Sequence, residues 1–139
     1  MELLLFTDKN EVMGIESQFV LEILEDKKVF PVPLSPPPLA GHLYHRGDIF
    51  TVIDMGILAG KGSARLTGSR RIILLKWQDK NLSLMPEAII GLACVKAEPP
   101  PASVVWKERP VRILAPEEIW NQFDIVSNFV VSAGLRLTA

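Results

Sequence analysis

The chain has 139 residues, 48% of them apolar and 22% charged, with a formal net charge of −1. That length holds one compact domain or two small lobes sharing a core, and the near-neutral balance argues against a nucleic-acid binder, which needs clustered Lys and Arg. The single cysteine, Cys94, leaves no internal disulfide, and no apolar run reaches the roughly 20 residues of a membrane helix.

The amino end, Met1 to Phe6, lacks the basic region and small-residue cleavage site of a secretory signal, so a soluble cytoplasmic chain without membrane insertion of its own is expected. Leu3–Thr7 and Val12–Ile15 flank Asp8-Lys9-Asn10 and read as a hairpin of two short apolar strands. Ser17 is placed to cap a brief helix whose Phe19, Val20, Ile23 and Leu24 fall on one stripe. Val29 and Val32 suggest an extended segment, and Pro36-Pro37-Pro38, without amide donors, favours polyproline II.

An apolar strand then ends near His45, a turn follows at Arg46-Gly47-Asp48, and a second strand runs from Ile49 to Ile53, closed by Asp54. Gly47 is expected at positive φ in that turn. Arg46 stands at the hairpin tip, where its guanidinium can pair internally, with Asp54 as one candidate, or can meet a partner's carboxylate. Asp54 is equally placed to cap a helical turn over Met55 to Leu58. Arg46-Gly47-Asp48 is read as a turn and not as an adhesion signal.

Residues 60–69 form a Gly/Ser-rich connecting loop. Lys61 and Arg65 within it and Arg70-Arg71 just after it make this stretch basic, and solvated. Its Gly60-Lys61-Gly62-Ser63 lacks the frame of a phosphate-binding loop. Beyond it, Ile72–Leu75, the turn Gln78-Asp79-Lys80-Asn81 and Leu82–Leu84 restart the opening pattern, with a second Asp-Lys-Asn string. Roughly sixty residues after the first proline-led hairpin, Pro99-Pro100-Pro101 leads into Val104–Trp106, the turn Lys107-Glu108-Arg109 and the strand Val111–Leu114. Pro116, Glu117 and Glu118 open a short helix with Ile119, Trp120 and Phe123 on one stripe, and Phe129–Val131 suggests a last strand.

About ten short strands in two similar series, with little helix, predict an all-β barrel pair or sandwich. The chain 1–139 reads as a single domain of two pseudo-repeated halves, near 1–58 and 70–123. His42 and His45, three apart on one strand, lie on opposite faces and cannot share a metal. Cys94 lies in the apolar run Gly91–Val95 and is expected to be a buried, inert thiol. No nucleophile–base–oxyanion set assembles, so neither an enzyme nor a cofactor is expected, and the chain is expected to act by binding. A peptide-binding groove of SH3 type would need Tyr44, Trp77 and Trp106 clustered on the surface.

The ordered landmarks Gly14-Ile15, Val20-x-Glu22-Ile23, Val32-Pro33, Gly41, Arg46-Gly47 and Val52-Ile53-Asp54 resemble the CheW-like domain, the coupling module of bacterial chemotaxis. The family's Asn-Leu-Arg-Gly hairpin followed by Val-Ile-Asp-Leu stands here as Tyr44-His45-Arg46-Gly47 and Val52-Ile53-Asp54-Met55. The resemblance covers roughly residues 2 to 122 and is strongest through Asp54. It implies two intertwined five-stranded SH3-like barrels and a non-catalytic adaptor. Its partners would be a CheA-type chemotaxis histidine kinase, through the regulatory domain, and the cytoplasmic helices of methyl-accepting chemoreceptors, in association with membrane receptor arrays. Carried over by match, Val20, Glu22, Gly41, Arg46 and Gly47 would contact partners, with Tyr44 and His45 beside them at the tip and Asp54 as structural support.

Overall fold

The computed structural model describes residues 1–25, 39–53, 55, 71–95 and 103–121. Ten strands run through these residues: β1 Glu2–Asp8, β2 Glu11–Glu16, β3 Val20–Leu24, β4 Leu39–His45, β5 Asp48–Ile53, β6 Ile72–Trp77, β7 Lys80–Leu84, β8 Ala88–Cys94, β9 Ser103–Trp106 and β10 Arg109–Ile113. They make two five-stranded sheets, ordered β8-β1-β2-β10-β9 and β3-β6-β7-β5-β4. Each sheet takes the opening hairpin from one half of the sequence and three strands from the other half, so the two halves interlock.

The pairing is the same in both sheets. Leu4 opposes Ile15 as Ile73 opposes Leu84, and Arg112 runs parallel beside Met13 as Thr51 does beside Leu82. His45 opposes Asp48 as Trp106 opposes Arg109. Even the irregularities match. β3 carries one extra residue, Leu21, between its partners to Leu75 and Leu74, and β8 carries Ile90 between its partners to Phe6 and Leu5.

The apolar pattern follows from this layering. Side chains alternate across a strand, and β1 and β6 are buried on both faces. Leu3 and Leu5 enter one core cluster with Val12 and Val111, whereas Leu4 and Phe6 enter a shared cluster with Ile73, Leu75 and Leu84. Likewise Ile72 and Leu74 join Leu43, Phe50 and Val52 in the interior of the second sheet. The continuous runs Leu3-Leu4-Leu5-Phe6 and Ile72-Ile73-Leu74-Leu75 are therefore strands that separate two cores, not one-sided strands.

Four local expectations change. Ser17–Phe19 is a single 3-10 turn with no side-chain cap bond, and Ser17 Oγ instead donates to Glu2 Oε1 at 2.8 Å. The expected helical stripe is mostly β3, in which burial alternates residue by residue; pairing with β6 outweighs a helix of so few residues. The turns are also shorter than the charged strings suggested. Lys9-Asn10, Arg46-Gly47, Gln78-Asp79 and Lys107-Glu108 turn; Asp8, Asp48, Lys80-Asn81 and Arg109 belong to strands.

The two Asp-Lys-Asn strings are consequently not equivalent. In the first hairpin Asp8 ends β1 and Lys9-Asn10 turn, whereas in the second Asp79 turns and Lys80-Asn81 begin β7. Finally, Cys94 is exposed. β8 is an outer strand whose alternate residues face solvent, and Cys94 falls on that phase with Leu92.

The helix over 116–121 is present, with Ile119 buried in the shared core and Trp120 packed against it. Lys80 Nζ lies 5.2 Å from the Trp77 ring and 4.9 Å from the Trp120 ring, joining the β6–β7 hairpin to that helix. Val29, Val32, Pro36-Pro37-Pro38, Asp54, the 60–69 loop, Phe123 and Phe129–Val131 lie outside the described residues, as does the 56–58 part of the turn after Met55.

Candidate functional site: the tip of the β4–β5 hairpin

Strands β3 and β4 are the two outer strands of one sheet. The sheet curls far enough for side chains to meet across the seam between them. The bulge at Leu21 sets which side chain does so, because an extra residue reverses the face presented by everything after it. Val20 opposes Leu75 and packs against the shared core, whereas Glu22 opposes Leu74 and faces the barrel interior. On β4, Leu43 is fully buried in that interior and His45, two residues on, shares its face.

Glu22 and His45 meet there. His45 Nε2 lies 2.9 Å from Glu22 Oε2, with side-chain exposures of 14% and 31%. The other carboxylate oxygen, Oε1, is 3.5 Å from Arg46 Nη2, whose side chain is 75% exposed. Glu22 is thus shared between a well-made hydrogen bond to His45 and a looser ion pair to Arg46. Asp54 lies outside the described residues; the ion pair found for Arg46 is with Glu22.

The turn that presents Arg46 is tight. Arg46 at φ 50° and Gly47 at φ +84° are both left-handed, as a two-residue type I′ hairpin requires, so the glycine expectation is met. Around the tip, Leu21, Glu22, His45, Arg46, Asp48 and Phe50 line a hollow of about 200 Å³. Phe50 is buried at its base, and Leu21 is 53% exposed at its rim.

Of the residues expected to meet partners, Glu22, His45, Arg46 and Gly47 converge at this tip. Tyr44, 54% exposed, faces the other side of the hairpin, opposite Ile49, which is 45% exposed. Gly41 is buried opposite Val52, and Val20 packs inward. Sequence reading missed Leu21, Asp48 and Phe50. The bulge that brings Leu21 to the rim has no signature in the local pattern. Phe50 was legible only as an apolar strand residue.

His42, on the opposite strand face from His45, does not join it. Among the described residues no group of three or more His, Cys, Asp or Glu stands close enough to hold a metal ion. No helix among them is long and apolar enough to cross a membrane. Tyr44 and Trp77 belong to one sheet and Trp106 to the other, on three different hairpins, and Trp77 is covered by Lys80.

A family model, the CheW-like domain, matches residues 2–114. The chain belongs to the CheW-like domain family. The Protein FrzA of Myxococcus xanthus is 27% identical over 92 residues, 64% of this chain and 58% of that protein's length. The crystal structure of the scaffolding protein TtCheW from Thermoanaerobacter tengcongensis superposes with a TM-score of 0.70 at 19% identity, covering 82% of this chain and 88% of that one. The fold is accordingly the expected pair of intertwined SH3-like barrels. The Glu22–His45–Arg46 tip sits where the CheW-like hairpin string falls in this sequence.

Proposed function

We propose that this chain is a non-catalytic adaptor of chemotaxis-type signal transduction. In this reading it couples the cytoplasmic helices of chemoreceptors to the regulatory domain of a CheA-type histidine kinase, in the cytoplasm beside membrane receptor arrays. The observation that carries the reading is the convergence of Glu22, His45 and Arg46 on an exposed hairpin tip of a CheW-like chain. Tyr44 and Gly47 complete the contact surface, while Val20 and Gly41 act through the frame that positions it. Asp54 is assigned structural support. We also read residues 1–139 as one domain, with halves near 1–58 and 70–123 joined at 60–69. The equivalent pairings of the two sheets support that division.

Contacts of this kind are modest in area, and an array gains strength from many of them acting together. Calorimetry against the regulatory domain of a chemotaxis histidine kinase tests the kinase half of the reading. Micromolar binding is expected; no heat at several hundred micromolar would rule it out. The second reading is an interaction module of the same fold serving another pathway. It is favoured by the replacement of Asn-Leu by Tyr44-His45 at the hairpin tip. Under it, the protein would bind neither the kinase domain nor a receptor fragment.

A further inference from the structure

The contact between His45 and Glu22 joins the two outer strands of the sheet across their seam. It places the one side-chain type that changes charge near neutral pH on the same carboxylate that restrains the exposed cation of the tip. The charged groups around the hollow are Glu22 from β3, Arg46 from the turn and Asp48 from β5; its remaining walls, Leu21 and Phe50, are apolar. With a neutral imidazole the set carries two carboxylates against one guanidinium, and Glu22 needs Arg46 as its counter-charge. With His45 protonated, Glu22 is neutralised from within the seam at 2.9 Å, and the 3.5 Å pair to Arg46 loses its electrostatic reason.

We propose that His45 is a proton-operated positioning residue that decides whether Arg46 folds back onto Glu22 or turns outward to take a partner's carboxylate. The partner segment it selects is acidic. Two effects act in the same direction as pH falls: the guanidinium is released, and the hollow loses its excess negative charge. Docking through this tip therefore strengthens toward acid. This proposal rests on the reading of the tip as a docking surface, but its mechanism is testable without any partner.

The experiment is an NMR titration of the free, 15N-labelled protein between about pH 5 and 8, following the His45 imidazole and the Arg46 side-chain Nε–Hε resonance together. The Arg46 resonance is expected to shift with the same midpoint as His45. That response is expected to vanish in Glu22→Gln and in His45→Gln, two near-isosteric variants that leave the barrel intact. An Arg46 signal that stays still while His45 titrates would overturn the proposal, as would an unchanged response in Glu22→Gln. Failure of kinase binding in the separate calorimetry would remove the docking reading and leave this coupling standing.

Discussion

The two barrel seams share a backbone and differ in chemistry. In one, β3 and β4 are tied by Glu22 and His45, with Arg46 at the turn. In the other, the matched registers put Gly91 where Glu22 stands, Trp106 where His45 stands and Lys107 where Arg46 stands. The bulge is kept, with Ile90 in the place of Leu21, but Gly91 adopts φ +140° and has no side chain to send across. Lys107 lies over the Trp106 ring, 4.8 Å from its centre, instead of facing a carboxylate. The outer strands there expose Leu92 at 64% and Val105 at 72%. The same frame thus carries a hydrogen-bonded carboxylate and imidazole beside a guanidinium at one seam, and a glycine and an aromatic ring under a lysine at the other.

Substitutions can separate what the frame needs from what each tip does. The largest effect is expected beneath the tips. Phe50→Ala should cost about 3–5 kcal/mol, and Val111→Ala, at the equivalent place in the other barrel, about 2 kcal/mol, both read from urea midpoints. Both side chains are essentially fully buried, so the larger loss follows from the larger void.

Next comes the polar seam. Glu22→Gln and His45→Gln should each cost roughly 0.5–1.5 kcal/mol, with a coupling of about 1 kcal/mol in the double-mutant cycle. Additive single effects would mean that the contact across β3 and β4 contributes nothing to closing the barrel.

The turns respond in opposite senses. Gly47→Ala at φ +84° should cost about 1–2 kcal/mol through backbone strain alone, since no atom lies within 4 Å of the added methyl. Replacing Lys107-Glu108 by Asn-Gly should raise stability by about 1 kcal/mol, because Lys107 at φ 46° and Glu108 at φ 62° bear a left-handed conformation that other residues adopt more readily. The smallest effect concerns Asp79. The hydrogen bond and charge of Lys80 hold its carboxyl below the ordinary carboxylate value. Any stability it lends is present above the unfolded-state value and fades as pH falls through the lowered one. An NMR titration of Lys80→Met should show the Asp79 midpoint moving upward.

Much of this frame was legible from the sequence. Alternation and turn residues marked the hairpins, and the repeated order of Leu3–Ile15 and Ile72–Leu84 marked the doubling. The interlocking of the halves was expected from the family resemblance, since strand exchange between sheets leaves no local pattern. The misreadings have physical causes. Phe19, Val20, Ile23 and Leu24 sit at helical spacing, yet a five-residue strand with four partners on β6 gains more than so short a helix. Cys94 looked buried because its neighbours are apolar, whereas an outer strand shows half of its side chains to water. At the site, Arg46 and Gly47 announced the tip. The meeting of Glu22 with His45 depended on the Leu21 bulge and on the curl of the sheet, neither of which a linear pattern records.

The two tips can be set against each other directly by measuring kinase regulatory-domain affinity for Arg46→Ala and Lys107→Ala, with melting curves alongside. Arg46→Ala should weaken binding about tenfold or more while melting stays within a few degrees of the parent, and Lys107→Ala should change affinity by less than about threefold. Equal losses from both substitutions, or a loss confined to Lys107→Ala, would contradict the assignment of docking to the Glu22–His45–Arg46 tip.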